Sequence, residues 1–133
     1  MKAISSTRVY GMNLGAFVTV ADNSGARIAK VVSVKRAKTV RGRQVACSIS
    51  DWVKVSIKAG QPELKGQVFD AVVIRQRKPY RRFTGERIGF FDNAVVLLKD
   101  EKGNPKGTLI KGPTAREVIE RWPHVAKIAG VVV

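Results

Sequence analysis

The chain has few of the residues from which catalytic and metal sites are commonly built. Among its 133 residues there is one cysteine, Cys47, and one histidine, His124. A lone cysteine excludes a disulfide framework and a cysteine-based metal site, and a lone histidine excludes a histidine-rich one. Asp22 and Asp92 each precede an asparagine, which is typical of turns in which the aspartate bonds nearby backbone. The sequence therefore predicts a protein that is not an enzyme and that holds no cofactor and no metal.

Long apolar segments are also missing. No apolar run approaches the roughly 20 residues that a membrane-spanning helix needs, and residues 1–15 lack the apolar stretch of a signal peptide. The sequence therefore predicts neither a membrane-spanning segment nor a secretory signal. The single cysteine is in keeping with a reducing compartment.

Acidic residues are scarce, whereas basic residues are abundant. The chain has 10 Asp and Glu against 25 Lys and Arg, a formal net charge of +15 and a pI near 10.7. This balance favours a polyanionic partner, with nucleic acid first and an anionic membrane surface second. The 44% of hydrophobic residues is still enough for a packed core. A chain of 133 residues is predicted to form a single domain over 1–133.

The basic residues concentrate in two segments, Lys35–Arg43 and Arg75–Arg87, which together hold 11 of the 25. The first segment has no acid and the second has only Glu86. Like charges repel one another, so a folded protein keeps such runs where counter-charge comes from outside. We expect both segments to contact nucleic-acid phosphates, with Tyr80 and Phe83 stacking on bases or riboses. The alternative is that both are solvated, charged loops.

Five segments have the residue pattern of β-strands. Val53, Val55 and Ile57 alternate with polar or bulky residues, which predicts a strand with one buried face. The predicted strands are 17–21, 27–35, 51–58, 67–77 and 93–99, and a turn at Asp22–Gly25 joins the first two. Short strands followed by a helix favour a small β-barrel over about 1–110 with a C-terminal helical region over about 111–133.

The predicted helix runs from Thr114 to Trp122. Thr114 and Glu117 have the spacing of a capping box, and Pro123 ends the helix. The apolar face expected to pack on the barrel is Ala115, Val118, Ile119 and Trp122. The residues expected to point outward are Arg116, Glu117, Glu120 and Arg121.

Four motifs occur in one order along the chain and carry a resemblance to a known family. They are Asp22–Ala26, Val73–Arg82, Phe91–Val95 and Lys111–Glu117. This set closely resembles the universal family of large-subunit ribosomal protein 14, and the resemblance covers about Ile4 to Val133. The segment Arg121–Ala126 is similar to the archaeal and eukaryotic branch, and we expect an archaeal member.

The resemblance implies a mainly β fold, a five-stranded β-barrel with a projecting β-ribbon and a short C-terminal helical region. It implies a structural protein of the large ribosomal subunit in the cytoplasm that binds large-subunit ribosomal RNA. It also implies a part in an intersubunit bridge, where small-subunit ribosomal RNA is met. The implied protein partners are ribosomal protein 3, a ribosomal protein 24e-type neighbour and the anti-association initiation factor.

Carried onto this sequence, the resemblance assigns two surfaces. The residues implied to face ribosomal RNA are Lys35, Arg36, Lys38, Arg41, Arg43, Arg75, Arg77, Lys78, Tyr80, Arg81 and Arg82. The residues implied to lie toward the bridge and the factor are Lys106, Thr108, Lys111 and Arg116.

Two other functions compete with this one. A free-standing nucleic-acid-binding barrel, such as a single-strand binder or a chaperone, would carry aromatic residues across an open strand face. Aromatic residues make up only 7% of this chain, and most lie at predicted strand ends or on the helix. An enzyme acting on RNA would need a catalytic constellation, which the sequence does not contain.

Overall fold

The computed structural model describes residues 3–4, 6–37, 39 and 41–133, which form eleven strands and two short helices. In chain order they are β1 (Met12–Asn13), β2 (Phe17–Val20), β3 (Ala26–Val34), β4 (Ala46–Cys47), β5 (Trp52–Gly60), β6 (Val68–Arg75), β7 (Tyr80–Arg81), β8 (Arg87–Ile88), β9 (Ala94–Leu97), β10 (Pro113–Thr114), α1 (Arg116–Arg121), α2 (Pro123–Ala126) and β11 (Val131–Val132). Neither of the helices in this described part of the chain is long and apolar enough to cross a membrane.

Five of these strands close into a barrel in the order β2-β3-β5-β6-β9. Neighbouring strands are antiparallel except where β9 returns to β2, and this closing pair is parallel, with Thr19 opposite Ala94. Closure leaves no barrel strand with an unpaired edge. The predicted five-stranded β-barrel is confirmed, and each of the five predicted strands ends within two residues of the observed boundaries.

The barrel interior is built by alternation along the strands. Val53, Val55 and Ile57 of β5 are fully buried, as their spacing predicts. In contrast, β6 is buried at every position from Ala71 to Arg75. The second face of β6 is covered by the C-terminal region, since α1 and β10 both contact it and the Ala115 amide donates to the Ile74 carbonyl at 3.3 Å. Burial on both faces explains why β6 reads as a continuous apolar run.

The turn predicted at Asp22–Gly25 is confirmed, and it also braces the barrel. Asp22 Oδ1 accepts a hydrogen bond from the Ser24 amide at 3.2 Å, while its Oδ2 accepts one from the Leu97 amide at 3.0 Å. Gly25 has φ +101°, a left-handed conformation that glycine adopts without strain. Asp22 is 2% exposed, so its carboxylate is a structural group that links the β2–β3 turn to β9.

The C-terminal helix is shorter than predicted, and its start differs. Pro113 and Thr114 pair in parallel with Val131 and Val132, so Thr114 is in a strand and Ala115 is the residue that caps α1. No described side chain makes a capping hydrogen bond to this helix, and the predicted capping box is therefore wrong. Ala115, Val118 and Trp122 are buried as expected, and Ile119 is half-buried.

The described residues between Val34 and Ala46 contain no strand. They form a loop that returns to β4, which pairs with β1. Outside the barrel sheet, the second basic segment forms a two-stranded ribbon, β7–β8, with Tyr80 opposite Ile88. The two basic segments thus leave the barrel as one loop and one hairpin.

Candidate nucleic-acid interface

Four cations of the second basic segment lie on the surface of the β7–β8 hairpin. They are Arg77, Lys78, Arg81 and Arg87, and none of them forms an ion pair with a described residue. The hairpin is anchored at its base, where the Arg77 amide donates to Asn93 Oδ1 at 2.8 Å. At its tip, Gly85 has φ +94° and its amide donates to the Arg82 carbonyl at 2.9 Å. A defined hairpin therefore presents four cations against one exposed acid, Glu86, whose ion pair is with the buried Arg82.

Arg75 does not share this exposure. It is 7% exposed, and its Nε lies 2.9 Å from Asp92 Oδ1. Its Nη1 donates to the carbonyls of Lys111 and Pro113, both at 2.9 Å. The expected surface position is wrong for Arg75. Its side chain is buried because these bonds join the end of β6 to the backbone at Lys111 and Pro113.

Tyr80 and Arg82 are also buried, at 1% and 5% exposure, and both bind Glu117 of α1. The Tyr80 hydroxyl donates to Glu117 Oε2 at 2.7 Å, and Arg82 Nε donates to Oε1 at 2.6 Å. Their expected surface positions, and the outward position expected for Glu117, are wrong for this reason. These three side chains form a buried network that ties the basic hairpin to the C-terminal helix.

The protonation states in this network follow from its contacts. Burial and the hydrogen bond to Glu117 raise the pKa of Tyr80, so its hydroxyl keeps the proton that it donates. The hydrogen bond to Glu117 raises the pKa of Arg82, and the nearby carboxylate charge acts in the same direction. The network therefore consists of the charged guanidinium of Arg82 and the neutral phenol of Tyr80, both donating to the carboxylate of Glu117.

Most of the acids that form ion pairs within the described residues neutralise cations that are not on the basic surfaces. Asp51 pairs with Arg8 and Arg121, Asp92 with Arg75, and Glu117 with Arg82. The remaining acids in ion pairs are Asp70 with Lys35 and Lys54, Glu101 with Lys35, and Glu86 with Arg82. The hairpin cations receive none of this charge, so the excess of +15 is concentrated on the surface.

The first basic segment is only partly free. Lys35 lies 3.8 Å from Asp70 and 3.7 Å from Glu101, and its ammonium is 4.5 Å from the Trp52 ring centroid. Arg36, Arg41 and Arg43 are exposed, and none forms an ion pair with a described residue. Lys38, also expected to face RNA, lies outside the described residues.

Sequence reasoning missed a group of residues that meets this loop from elsewhere in the chain. A cleft of about 510 Å³ is lined, from outside the first basic segment, by Arg8, Tyr10, Asp51, Trp52 and Arg121. The loop after β3 contributes Lys35, Arg36, Arg43 and Gln44 to the same lining. No local pattern announces this meeting, because Arg8 reaches Asp51 across 43 residues. Arg8 and Tyr10, a basic and an aromatic residue close together before the first strand, are the signal in the sequence that could have indicated this cleft.

The second expected surface, toward the bridge and factor, is not one cluster of bonded side chains. Thr108, Lys111 and Arg116 are exposed, while Lys106 is half-buried with its ammonium 5.1 Å from the Phe69 ring centroid. The side-chain Nδ2 of Asn23 donates to the Thr108 hydroxyl at 2.9 Å, which fixes this loop against the β2–β3 turn. No hydrogen bond or ion pair joins any two of the four residues.

Comparison with known proteins agrees with this architecture. The family model described as ribosomal protein L14p/L23e matches residues 11–133. The large ribosomal subunit protein uL14 of Nanoarchaeum equitans is 51% identical over 133 residues, covering 100% of both chains. The uL14 protein of Thermofilum pendens is 51% identical over 123 residues, which cover 92% of this chain and 86% of the relative. The uL14 protein of Picrophilus torridus is 44% identical over 133 residues, covering 100% of both chains. The chain therefore belongs to the ribosomal protein L14p/L23e family, in its archaeal branch, as a structural, non-enzymatic protein of the large subunit of the cytoplasmic ribosome.

Proposed function

We propose that this chain binds large-subunit ribosomal RNA through the β7–β8 hairpin and the loop after β3. The RNA-facing residues are Arg36, Arg41, Arg43, Arg77, Lys78, Arg81 and Arg87, with Lys35 beside them. The carrying observation is that the hairpin cations are exposed and form no ion pair with a described residue, while Asp51, Asp92 and Glu117 pair with Arg121, Arg75 and Arg82. Phosphates are the counter-charge that such a surface takes, and their contacts position a protein on RNA.

Arg75, Tyr80 and Arg82 have a different part in this proposal. Their polar atoms bind Asp92, Glu117 and backbone carbonyls, so they hold the hairpin in place and do not face RNA. Phe83, 75% exposed near the hairpin tip, is an aromatic side chain of the hairpin that can stack on a base or ribose. A rigid hairpin loses less conformational freedom when it binds than a flexible arm would.

The salt dependence of RNA binding tests the proposal. A variant with Arg77, Lys78, Arg81 and Arg87 all changed to Gln removes four phosphate contacts. The slope of log affinity against log salt should then fall by about 3 to 4, since each contact contributes roughly 0.7–0.9. The assay is titration of a large-subunit RNA fragment with the full chain at several salt concentrations.

A matched control removes the same net charge elsewhere. Arg27, Lys58, Lys65 and Lys99 are exposed and lie outside both basic segments. Changing these four to Gln should alter the slope much less than the hairpin variant does. Equal effects of the two variants would show that net charge alone attracts the RNA and would overturn the proposed surface.

We further propose, from the family resemblance, that Lys106, Thr108, Lys111 and Arg116 lie toward an intersubunit bridge and the anti-association initiation factor. Ribosomal protein 3 and a 24e-type protein are the proposed protein neighbours. Because Thr108 and Arg116 are exposed, Thr108→Glu and Arg116→Glu should leave the melting temperature unchanged while weakening subunit joining or factor binding. Lys65→Glu serves as the exposed control, and normal joining and factor binding by both variants would place this surface elsewhere.

A further inference from the structure

The cleft between the N-terminal segment and the loop after β3 has the composition of a ligand site. Among the described residues, five cations line it, namely Arg8, Lys35, Arg36, Arg43 and Arg121, against one carboxylate, Asp51. Its volume of about 510 Å³ lies within the roughly 300–1,000 Å³ of pockets that hold small organic ligands. The cleft is separate from the hairpin cations, none of which lines it.

The carboxylate in this cleft is turned to internal partners. The Asp51 side chain is 5% exposed, and its two oxygens accept hydrogen bonds from Arg8 Nη2 at 2.6 and 2.7 Å. Asp51 Oδ2 also accepts a hydrogen bond from the Ser48 amide at 2.8 Å. Arg121 shares this carboxylate at 3.6 Å, and Lys35 pairs with Asp70 and Glu101 from outside the cleft. Arg36 and Arg43 are the lining cations that form no ion pair with a described residue, so their side of the cleft favours an anionic ligand.

The close approach of the cations to one another also favours an anionic ligand. Burial lowers the pKa of Arg121, and the negative charge of Asp51 opposes this shift. The positive charges of Arg8 and Arg36 lower the pKa of Arg121 further. Arg121 Nε is also buried without a hydrogen-bond acceptor among the described residues. An added phosphate would relieve the repulsion among these guanidinium groups.

The aromatic residues of the cleft have two different roles. The Trp52 ring lies under two cations, with Lys35 Nζ at 4.5 Å and the Arg36 guanidinium carbon at 5.8 Å from its centroid. The Trp122 ring packs edge-to-face against Trp52 at 6.1 Å, so Trp52 is a fixed support for those cations. Tyr10 has one cation over its ring, with the Arg8 guanidinium carbon 5.3 Å from the centroid, but it is 53% exposed and its remaining ring surface can take a ligand.

The backbone at the cleft edge is held in a conformation that few residues adopt. Arg36 has φ +61°, in the left-handed region that non-glycine residues occupy uncommonly. This conformation accompanies the placement of its guanidinium over Trp52. Strain of this kind is found most often at binding sites, where the position of the side chain compensates for it.

We propose that this cleft binds one nucleotide unstacked from single-stranded RNA, with the base on Tyr10 and the phosphate among Arg36 and Arg43. Aromatic rings and guanidinium planes are the groups on which splayed RNA bases stack. The inference rests on the proposed RNA-binding function and adds a site that reads single-stranded RNA, distinct from the phosphate contacts of the hairpin.

The test compares a single-stranded oligouridylate of about six nucleotides with an RNA duplex. Tyr10→Ala in the full chain should weaken oligouridylate binding about 5- to 150-fold, the range for loss of one base–aromatic stack, and should change duplex binding by less than about twofold. Tyr10→Phe keeps the ring and should bind as the original chain does. Phe17→Ala is the matched control, since Phe17 is a 64% exposed aromatic residue outside the cleft.

A competition experiment separates a nucleotide site from a phosphate site. Uridine monophosphate should displace oligouridylate from the original chain at lower concentration than inorganic phosphate, and Tyr10→Ala should remove this difference. Equal competition by the two, or equal effects of Tyr10→Ala and Phe17→Ala, would overturn the nucleotide cleft. If the hairpin variant still loses duplex binding in that case, the proposed RNA-binding function stands without the cleft. If the hairpin variant binds the duplex as the original chain does, the proposed RNA-binding function is wrong, whatever the result for the cleft.

Discussion

Replacing Glu117 with alanine should unfold the C-terminal region more readily than any change on the basic surface. The carboxylate accepts hydrogen bonds from Tyr80 and from Arg82, and the side chains of Arg82 and Glu117 are 6% and 3% exposed. Solvent therefore screens this pair little. Removing one member of a buried ion pair costs about 3–5 kcal/mol, because the other charge is left buried without a partner.

That cost is a large part of the roughly 5–15 kcal/mol by which a domain of this size is stable. The melting temperature should fall by about 10–25 °C, taking roughly 3–5 °C per kcal/mol for this chain length. Glu117→Gln keeps an acceptor for Tyr80 but loses the charge, so its effect should lie between those of the original chain and Glu117→Ala. The free energy of unfolding is measured by urea denaturation at one ionic strength.

A triple variant separates the burial cost from the net value of the network. Tyr80→Phe, Arg82→Met and Glu117→Leu together replace all three polar groups with apolar ones, which is often neutral or stabilising for buried ion pairs. This variant should be more stable than Glu117→Ala alone, despite losing the bond from Arg82 to the Val133 carbonyl at 2.6 Å. A Glu117→Ala chain within about 1 kcal/mol of the original would refute the reasoning.

Two further predictions concern buried side chains. The Thr114 hydroxyl is buried without a hydrogen-bond partner among the described residues, so Thr114→Val should maintain or raise the free energy of unfolding; a capping role would instead cost about 0.5–2 kcal/mol in urea denaturation. Burial raises the pKa of Cys47 from 9.0 to about 12, so the native thiol should resist alkylation at neutral pH. The same shift stabilises the fold below pH 9 and is lost as pH rises toward 12, an alkaline decline that Cys47→Ala should lessen.

The barrel was predictable because its strands carry their own pattern. The alternation of Val53, Val55 and Ile57 and the apolar run of β6 depend on neighbouring residues, and the structure confirms both. The helix start was not predictable in this way. Thr114 has the spacing of a cap, but its pairing with Val132 in a parallel strand pair is a tertiary contact that overrides the local preference.

The same limit applies to the basic segment. Arg75, Arg81 and Arg82 look alike in sequence, yet only Arg81 is exposed. Arg75 is buried because it binds Asp92, a residue 17 positions further along the chain. Arg82 is buried because it binds Glu117, which is 35 positions further along. Composition predicts how much positive charge a chain carries, whereas the positions of its few acids decide which cations remain at the surface.

The parallel pairing of β2 with β9 has a consequence for how the chain reaches its native state. Thr19 must meet Ala94 before the barrel is complete, and such sequence-distant pairing gives a high contact order and slow folding. Until Ala94–Leu97 is in place, β2 and β6 each keep an unpaired edge that can join the edge of another molecule. Refolding should therefore lose yield to aggregation as the protein concentration rises, with the closing of this last pair as the slow step.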